Sequence, residues 1–592
     1  MNEKFKILNK HIRSVGEQEK LKKLNSVYRE GALELTGTGL SGNYKEWKKF
    51  SPSTIFSKVE KDLGVIAETV GFNGKSVWMQ DNHGKVTNAT THELLKEFKL
   101  QKLLEQFEFA NPHSKYFKVS LKNSKEDYLF TIKNTINDTT IEYIISKTTL
   151  SLDKKIEHRK DNTRITVFKN YRNIDGIKLP FEINVEIPEF ELKEKIKIFK
   201  YEFGNFPQSV FTSPKKDAKD FKFLKNNKAE NIPFDFSGGH IYLNVNVNGN
   251  KGRFILDSGA GKSVIDNGFI KKLGIKKQGI MKVQGISDNA DISFAVIKEM
   301  KIDNIKLHNQ TLITAELSPL FKRATGTIVD GLLGFDFLSR FITKIDFARQ
   351  LISCYDPETF KYNGSGKKVK AELGENIFFV QVKIEDKFVG NAGVDTGAKG
   401  ITIFYHFVKK NKLEKRKGLV SIGGGLGALH KAKTVRFKKI EIGGFKINNP
   451  LINFPITAVK GAFSAKSKIG NLGTNLFRHF IVYFDYKNNV LILEKGSNYN
   501  EKFPENRSGI QFEYSRNKEI IVKFISPDSP AKRSGLKEKD NVISIGDTLV
   551  SKFKNLIEIG EFLAGLMGNE VQIIIKRNKK KEALKLNLRD SD

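Results

Sequence analysis

The chain has 592 residues, of which 39% are hydrophobic and one is cysteine, so it can bury several cores but can form no internal disulfide. Its 101 Lys and Arg residues exceed its 67 Asp and Glu residues, which gives a formal net charge of +34. The basic residues are mostly Lys and are spread along the chain, a distribution that favours a solvated surface over nucleic-acid binding. No apolar run approaches the ~18 residues of a transmembrane helix.

The N-terminal region, predicted as one domain over residues 1–212, combines helices with alternating strands. "FKILNKHIRSVGEQEKLKKLNSV" has apolar residues at helical spacing, and Thr90 with Glu93 predicts a capping box that opens a second helix. The order of elements, with "GFNGKSVWMQD" and "YRNIDGIKLPFEI", resembles the curved antiparallel half-barrel of the periplasmic lipoprotein carriers. That resemblance implies an envelope location and binding of an apolar ligand. The alternative is a structural or inhibitory domain.

The first residues of the chain bear on its location. "MNEKFKILNKHIRSVG" lacks the apolar core of a secretory signal. The protein is therefore predicted to be either cytoplasmic or an exported protein of the periplasm or outer envelope, written without its signal. The carrier resemblance favours export.

After a polar linker, "SGGHIYLNVNVNGNKGRFILD" predicts a hairpin with an Asn-Gly turn that leads into "FILDSGAGKSVID". The end of this stretch, Gly261-Lys262-Ser263, is similar to a phosphate-binding loop. That loop needs a glycine five residues earlier, where the chain has Leu256 in an apolar strand. We therefore interpret the stretch as a turn that carries a catalytic aspartate, Asp257.

The same turn occurs a second time. "GNAGVDTGAKGITIF" places Asp395 at a distance of 138 residues from Asp257. The segments "LLGFDFLSRFITKIDF" and "NLGTNLFRHFIVYFDY" follow the first and second turn, respectively. Two pairs of glycines repeat after the turns: Gly285 and Gly423 at 28 residues, and Gly334 and Gly473 at 77 and 78 residues. The chain thus contains an internal repeat of about 120 residues.

These features resemble the retropepsin-like aspartic proteases, with two lobes fused in one chain, here predicted over residues 232–358 and 372–496. The family's apolar-apolar-Gly segment matches Leu332-Leu333-Gly334 and Asn471-Leu472-Gly473, and Asn471 departs from the apolar pattern. The resemblance implies the following site residues: Asp257 and Asp395 as catalytic, Ser258, Gly259, Thr396 and Gly397 as supporting turn residues, and Gly285 and Gly423 in the flaps. The predicted fold is mainly β.

The chemistry of such a pair explains why two aspartates are needed. Two carboxyls held close together cannot both ionise at low cost, so one keeps a proton, as is well known for the aspartic protease dyad. The ionised partner activates a water, and the protonated partner donates to the scissile carbonyl. We expect peptide or protein substrates and no requirement for a metal or cofactor.

Other catalytic chemistries have weaker support in the sequence. "HELLK", from His92, lacks the second histidine of a zinc protease helix, because position 96 is Lys96. No Gly-x-Ser-x-Gly nucleophile motif occurs. The single cysteine, Cys354, lies in the apolar run "LISCYD" and is predicted to be a buried hydrophobic residue.

The last predicted domain, residues 506–592, follows the linker "GSNYNEKFPENRSG". "KEIIVKFISPDSPAKRSGLKEKDNVISIGDTLV" resembles a PDZ domain of the bacterial protease-associated type. In that family a Gly-apolar loop binds the carboxylate of a C-terminal peptide, and Ser508-Gly509-Ile510 occupies that place here. Peptide capture and a purely packing role remain the two interpretations.

Two functions follow from this organisation. The first is an exported aspartic endopeptidase whose catalytic unit is a monomer, since both aspartates lie in one chain. The second is a non-catalytic envelope binding protein that uses the carrier-like and PDZ-like domains. The separation of the two carboxyls in the structure distinguishes between them.

Overall fold

The computed structural model describes residues 2–17, 20, 25–214, 220–284, 289–424, 429–459, 463, 465–503 and 505–588. The protein is mainly β, as predicted. It divides into two compact units: Met1–Asp220 with Lys277–Val283 and Asp291–Val296, and Phe221–Lys276 with Gln284–Ala290 and Ile297–Asp592. No helix among the described residues is long and apolar enough to cross a membrane.

The first unit is built on one antiparallel sheet of 13 strands, in the order β6-β5-β4-β3-β2-β1-β13-β12-β11-β10-β9-β8-β7. Its strands are β1 (Ser26–Leu35), β2 (Leu40–Phe50), β3 (Ile55–Asp62), β4 (Ala67–Phe72), β5 (Val77–Asp81), β6 (Val86–Asn88), β7 (Phe117–Asn123), β8 (Asp127–Asn134), β9 (Thr140–Ser146), β10 (Leu152–His158), β11 (Thr163–Ile174), β12 (Ile177–Ile187) and β13 (Leu192–Gly204). Its helices are α1 (Glu3–Val15) and α2 (His92–Glu105). Short 3-10 turns lie at Glu108–Ala110, Pro188–Phe190 and Gln208–Phe211.

The two helices depart locally from the sequence prediction. The segment with helical spacing forms α1 only as far as Val15, and Gly16 forms a β-bridge with Ile177. The last residues of the segment, Ser26 and Val27, open β1, and residues 18, 19 and 21–24 lie outside the described part of the chain. The cap of α2 is Thr91, whose hydroxyl accepts from the Leu94 N–H at 3.1 Å, and not Thr90. The Thr90 hydroxyl instead accepts from the N–H of Val77 on β5, so it bonds to the sheet and does not cap the helix.

Charged residues are buried beneath α2. Glu46 on β2 pairs with Arg29 on β1, and Lys48 lies 2.8 Å from Glu105 at the end of α2. Burial alone would raise the pKa of Glu46, but Arg29 and Lys48 lower it to about 2. These paired charges lie beside the apolar side chains of α2, which pack in the cores of the same unit.

The first lobe lies mostly in the second unit, and its segments Lys277–Val283 and Asp291–Val296 belong to the first unit. Its strands are β14 (Phe221–Phe223), β15 (Lys228–Pro233), β16 (Asp235–Ser237), β17 (His240–Val247), β18 (Asn250–Leu256), β19 (Val264–Asp266), β20 (Gln278–Gln284), β21 (Asn289–Ile302), β22 (Ile305–Ala315), β23 (Gly331–Leu333), β24 (Ile342–Asp346) and β25 (Leu351–Tyr355). Its helices are α3 (Asn267–Leu273), α4 (Ser318–Thr325) and α5 (Phe335–Leu338). The predicted Asn-Gly turn joins β17 to β18, with φ values of 47° at Asn248 and 85° at Gly249.

The second lobe repeats this plan. Its strands are β26 (Lys367–Lys370), β27 (Glu372–Gly374), β28 (Ile377–Ile384), β29 (Phe388–Val394), β30 (Ile401–Ile403), β31 (Leu419–Gly424), β32 (Leu429–Arg436), β33 (Lys439–Ile442), β34 (Phe445–Asn448), β35 (Leu451–Pro455), β36 (Gly470–Leu472), β37 (Phe480–Asp485) and β38 (Val490–Lys495). Its helices are α6 (Tyr405–Lys410) and α7 (Thr474–Phe477), with a 3-10 turn at Leu413–Lys415.

Corresponding strands pair in the same way in the two lobes. The strand that precedes each aspartate pairs in parallel with the strand of the apolar-apolar-Gly segment, β18 with β23 and β29 with β36. A six-stranded sheet, β15-β25-β24-β37-β38-β26, then joins the lobes through the antiparallel pair β24–β37. Cys354 on β25 is buried, as predicted, and burial raises the pKa of its thiol to about 12.

The last part of the second unit is a small sheet, β39-β40-β41-β43-β44, with β42 paired to β41. Its strands are β39 (Ile510–Tyr514), β40 (Ile520–Ile525), β41 (Asn541–Ile545), β42 (Thr548–Leu549), β43 (Glu570–Arg577) and β44 (Lys580–Asn587). Two helices accompany the sheet, α8 (Pro530–Arg533) and α9 (Leu556–Gly565), with a 3-10 turn at Val550–Lys552. A compact apolar core includes Val522, Ile559, Leu563 and Ile575.

Candidate active site

The two aspartates lie at equivalent points of the two lobes. Asp257 directly follows β18, and its N–H donates to the Leu333 carbonyl at 2.9 Å. Asp395 directly follows β29, and its N–H donates to the Leu472 carbonyl at 3.0 Å. The apolar strands of each lobe therefore fix where each turn begins.

The hydroxyls after the aspartates link the two turns to each other. The Ser258 hydroxyl donates to the Val394 carbonyl at 2.8 Å and accepts from the Thr396 N–H at 3.0 Å. The Thr396 hydroxyl donates to the Leu256 carbonyl at 2.8 Å and accepts from the Ser258 N–H at 2.9 Å. Both side chains are buried, so these four bonds form a reciprocal lock between the lobes, which we call the hydroxyl lock.

The two carboxyl groups meet across the lock. Asp257 Oδ1 accepts from the Gly259 N–H at 2.9 Å, and Asp395 Oδ1 accepts from the Ala398 N–H at 3.0 Å. A Cβ atom added at Gly259 would overlap the Asp395 carboxyl, and one at Gly397 would overlap that of Asp257. Only glycine fits at these two positions.

The environment keeps a proton on this pair. Burial raises the pKa of Asp257, and burial together with the charge of Asp257 raises the pKa of Asp395 to about 8. With a pKa of about 8, Asp395 is mostly protonated at neutral pH and can donate a proton, and an ionised Asp257 would then accept one from water. This arrangement is suited to general acid–base activation of a water molecule.

Asn471, which departs from the apolar pattern, contacts the dyad. Its Nδ2 donates to Asp395 Oδ2 at 3.1 Å. The corresponding residue of the first lobe, Leu332, packs in apolar clusters instead. The sequence comparison of the repeats identified Asn471 as an exception but assigned it no role.

Tyr486 is a second residue that sequence reasoning missed. It is fully buried, and its ring stacks on Phe378 at 4.0 Å and lies edge-on to Phe335 at 5.3 Å. Burial, with a smaller contribution from the charge of Asp257, raises the pKa of its hydroxyl well above the usual range. Its counterpart in the repeat is Phe347, so the comparison of the repeats shows the added hydroxyl.

The predicted flap glycines have different outcomes. Gly285 lies outside the described residues. Gly423 lies on β31 and pairs with His430 on β32, within a hairpin of the second lobe. Its assignment to a flap stays a prediction.

The predicted peptide-binding loop lies at the start of β39. Ser508 is buried, Gly509 has a φ of 75°, and Ile510 opens the strand. The Ile510 N–H donates to the Ser508 hydroxyl at 3.2 Å. β39 is the last strand of its sheet and pairs on one side with β40, which is the position at which a PDZ ligand adds a strand.

Comparisons with known proteins agree with this architecture. A family model described as "Aspartyl protease" matches residues 243–337 and again 380–476, and a model described as "PDZ domain" matches residues 508–588. The chain therefore contains two aspartyl protease repeats and a PDZ domain, and the predicted resemblance is confirmed.

Individual relatives share shorter or more distant similarity. The 26S proteasome non-ATPase regulatory subunit 9 of Drosophila melanogaster is 36% identical over 61 residues, which are 10% of this chain and 28% of the relative. The aspartic proteinase from Irpex lacteus is 10% identical and covers 47% of this chain and all of its own, with a TM-score of 0.32. A putative outer membrane lipoprotein-sorting protein domain from Vibrio parahaemolyticus is 9% identical and covers 35% of this chain and 95% of its own, with a TM-score of 0.26.

Proposed function

We propose that the protein is an aspartic endopeptidase that hydrolyses peptide bonds with a water activated by Asp257 and Asp395. The observation that carries this proposal is the approach of each carboxyl to the turn of the opposite lobe, and the raised pKa of both groups supports it. The ionised carboxyl takes a proton from the attacking water, and the protonated one donates to the carbonyl oxygen of the scissile bond. No covalent enzyme intermediate is needed.

Ser258, Gly259, Thr396 and Gly397 support this dyad. The hydroxyl lock holds the two turns in register, and the two glycines let each carboxyl approach the opposite turn. Because reacting groups must be held to within about 1 Å, we infer that the lock serves catalysis as well as stability. We also propose that the chain has four domains, as predicted from the sequence, and that the protein is exported.

The test is cleavage of a peptide library made from a digested proteome, followed by mass spectrometry. The wild-type chain should cleave, whereas Asp257→Asn and Asp395→Asn should each lower the rate by at least about a thousandfold, because each removes one half of the acid–base pair. Asp485→Asn, an aspartate of the repeat outside the dyad, is the matched control and should retain cleavage. Circular dichroism of all four proteins checks the fold, and full activity in either dyad variant would contradict the proposal.

The alternative of a non-catalytic binding protein has less support. Its apolar-ligand site would lie in the N-terminal domain, where Arg29, Glu46, Lys48 and Glu105 form partly buried ion pairs on the sheet and at the end of α2. Breaking such pairs to admit an apolar ligand would leave charges without partners at a cost of several kcal/mol. We therefore favour a structural or inhibitory role for this domain over ligand transport.

We further infer that the PDZ domain regulates the second flap. Gln511 on β39 contacts the backbone of Ile422 on β31 twice: its Oε1 accepts from the N–H at 2.7 Å, and its Nε2 donates to the carbonyl at 3.0 Å. The Ser526 hydroxyl accepts from the Val420 N–H at 2.8 Å. The strand that would receive a peptide is thus bonded to the hairpin that carries Gly423.

The first lobe meets the same groove from another side. Helix α4 packs against both β39 and α9, the two walls of a PDZ peptide groove. A Cβ atom at Gly326, directly after α4, would lie 3.0 Å from the hydroxyl of Tyr514 on β39. A peptide bound in the groove would therefore contact or displace α4 of the first lobe and would lie beside the bonds to β31 of the second.

A pool of short peptides with free C-terminal carboxylates tests this regulation, with the same pool amidated at the C-terminus as the control. Addition of the free-acid pool should change the cleavage rate of the wild-type chain several-fold, and the amidated pool should not. Gln511→Ala/Ser526→Ala should abolish that response, because it removes the bonds to β31. An equal response in the double variant would contradict coupling through these bonds, and no response in the wild type would contradict peptide regulation.

A further inference from the structure

A transverse row of polar residues crosses the sheet of the second lobe. Neighbouring strands pair Gly393 with Asn471, Asn471 with Thr402, Thr402 with Asn453, and Asn453 with Thr434. We call these five residues the polar row. Residues opposite each other on paired strands share one face of a sheet, so the row is a continuous surface.

Side-chain contacts confirm that the row lies on one face. The Thr434 hydroxyl donates to Asn453 Oδ1 at 2.7 Å. A Cβ atom at Gly393 would lie 2.6 Å from Asn471 Oδ1, so glycine leaves the space that the Asn471 amide fills. Asn471, Thr402, Asn453 and Thr434 are all partly exposed. Their polar groups can therefore reach a bound molecule.

The first lobe has an apolar row at the corresponding positions. Ile255 pairs with Leu332, Leu332 with Val264, and Val264 with Ile313. These four residues, which we call the apolar row, pack in clusters that both include Phe321 of α4. Each of the four has been replaced in the second lobe by glycine or by a residue that can hydrogen-bond.

The polar row begins at the reacting centre. Asn471 donates to Asp395 Oδ2, so the row extends directly from one carboxyl of the dyad. The scissile bond of a substrate must lie against both carboxyls, and its two flanking side chains then lie beside the two lobes. One flanking side chain can then contact the polar row, and the other can contact Leu332 and Ile313, the partly exposed residues of the apolar row.

We propose that this asymmetry sets the substrate class: the enzyme prefers an amide or hydroxyl side chain on one side of the scissile bond and an apolar side chain on the other. This proposal rests on the proposed function. An apolar side chain set against the polar row would cover amide and hydroxyl groups without bonding them, which disfavours it. An asparagine, glutamine, serine or threonine side chain can bond them.

The test uses the best wild-type substrate from the peptide library, with the residue on each side of the cleaved bond changed to Asn or to Leu. These two side chains are similar in shape but differ in hydrogen bonding. In the wild type, kcat/KM should favour Asn over Leu by about tenfold at one flanking position, the effect of about one net hydrogen bond. At the other flanking position it should favour Leu.

Thr402→Val/Asn453→Leu gives two positions of the polar row the apolar character of the first lobe while keeping Asn471 and its bond to Asp395. It should lower the Asn-to-Leu ratio about tenfold at the first flanking position and leave the second unchanged. Ile313→Asn in the apolar row, at the partly exposed position that corresponds to Asn453, is the matched control and should affect the second position alone. Because each result is a ratio of two rates from one preparation, a partly unfolded variant does not distort it.

Two results would overturn the proposal. One is a wild-type enzyme that cleaves but shows the same Asn-to-Leu ratio at both flanking positions. The other is a ratio that the double variant leaves unchanged. A wild-type chain that cleaves nothing in the library would instead count against the proposed function itself.

Discussion

In the first lobe β23 places Leu332 between Ile255 and Val264, whereas in the second lobe β36 places Asn471 between Gly393 and Thr402. The backbone pairing is the same in both lobes, and so are the aspartate, the following hydroxyl and the glycine of each turn. The two repeats therefore share the proposed catalytic turn. They differ in the row of residues beside it, which is apolar in the first lobe and polar in the second.

Apart from substitution of the aspartates, substitution of the glycine in either turn should have the largest effect on activity. Gly259→Ala and Gly397→Ala should each lower kcat/KM at least about a hundredfold, because the added methyl group overlaps the carboxyl of the opposite lobe. The two losses should be similar, since the two turns are related by the repeat. The rate of peptide cleavage measures the effect.

Gly560→Ala is the control for that pair. Gly560 lies in α9 with nothing within 4 Å of an added Cβ atom, so this change should leave cleavage unaffected. Wild-type activity in either turn variant would show that the carboxyls do not approach the opposite turns as described.

If the two hydroxyls of the hydroxyl lock have equivalent roles, removing either one should lower the stability of the protein by a similar amount. Ser258→Ala and Thr396→Ala should each lower the free energy of unfolding by about 1–3 kcal/mol, because each leaves a buried N–H and a buried carbonyl without a partner. The loss in the double variant should be smaller than the sum, since the two hydroxyls form one network. Urea unfolding measures these values.

The exchanged pair Ser258→Thr and Thr396→Ser keeps both hydroxyls. It should therefore retain most of the wild-type stability. If the losses of unfolding free energy in the two alanine variants add up in the double variant, the two hydroxyls stabilise the protein independently and do not form one network.

The dyad also predicts a pH dependence of stability. Asp395 has a raised pKa of about 8, so the folded chain holds a proton between about pH 4 and pH 8 that the unfolded chain has released. The stability that this group contributes is complete below pH 4 and is lost as the pH rises towards 8, by about 1.4 kcal/mol per pH unit at most.

Asp395→Asn should remove this dependence. Other groups titrate in the same range: burial, with a contribution from Lys399, lowers the pKa of His240 to about 4, and this group makes stability rise with pH between about 4 and 6.5. The informative quantity is therefore the difference in unfolding free energy between wild type and variant at each pH. A difference that does not change with pH would contradict the proton-sharing pair.

The smallest expected effect concerns enzyme concentration. Both aspartates lie in one chain, so we predict that a monomer is the catalytic unit and that specific activity does not change on dilution. Cleavage rates over a thousandfold range of enzyme concentration, with sedimentation velocity on the same samples, measure this. Activity that falls on dilution, together with a dimer, would mean that chains exchange their lobes.

The sequence contained the main features of the site. The repeated Asp-Ser/Thr-Gly turn predicted the pairing of Asp257 with Asp395, because the spacing of the later landmarks was preserved. The Asn-Gly hairpin before the first turn was also predictable, since its left-handed φ values depend on two adjacent residues. Such features are local or repeated, and a single sequence records both.

Other features depend on residues that are far apart in the chain. The bond from Asn471 to Asp395 needs the space left by Gly393, and the bonds from Gln511 to Ile422 need the packed domain. The cap of α2 also lies one residue after the predicted one, because the hydroxyl of Thr90 bonds to the sheet. Tertiary contacts of this kind leave no periodic pattern in the sequence.

The central claim, that the two repeats contribute one carboxyl each to a shared proton, is tested most directly by titration of the carboxyl carbons. In protein labelled with ¹³C at the aspartate Cγ atoms, the signal lost in Asp395→Asn identifies Asp395. We predict that this signal titrates near pH 8 in the wild type. In Asp257→Asn it should titrate at lower pH, because the neighbouring charge is gone, but still above the ordinary value of 3.8, because burial remains. An Asp395 signal that titrates at the same pH in both proteins would contradict the claim.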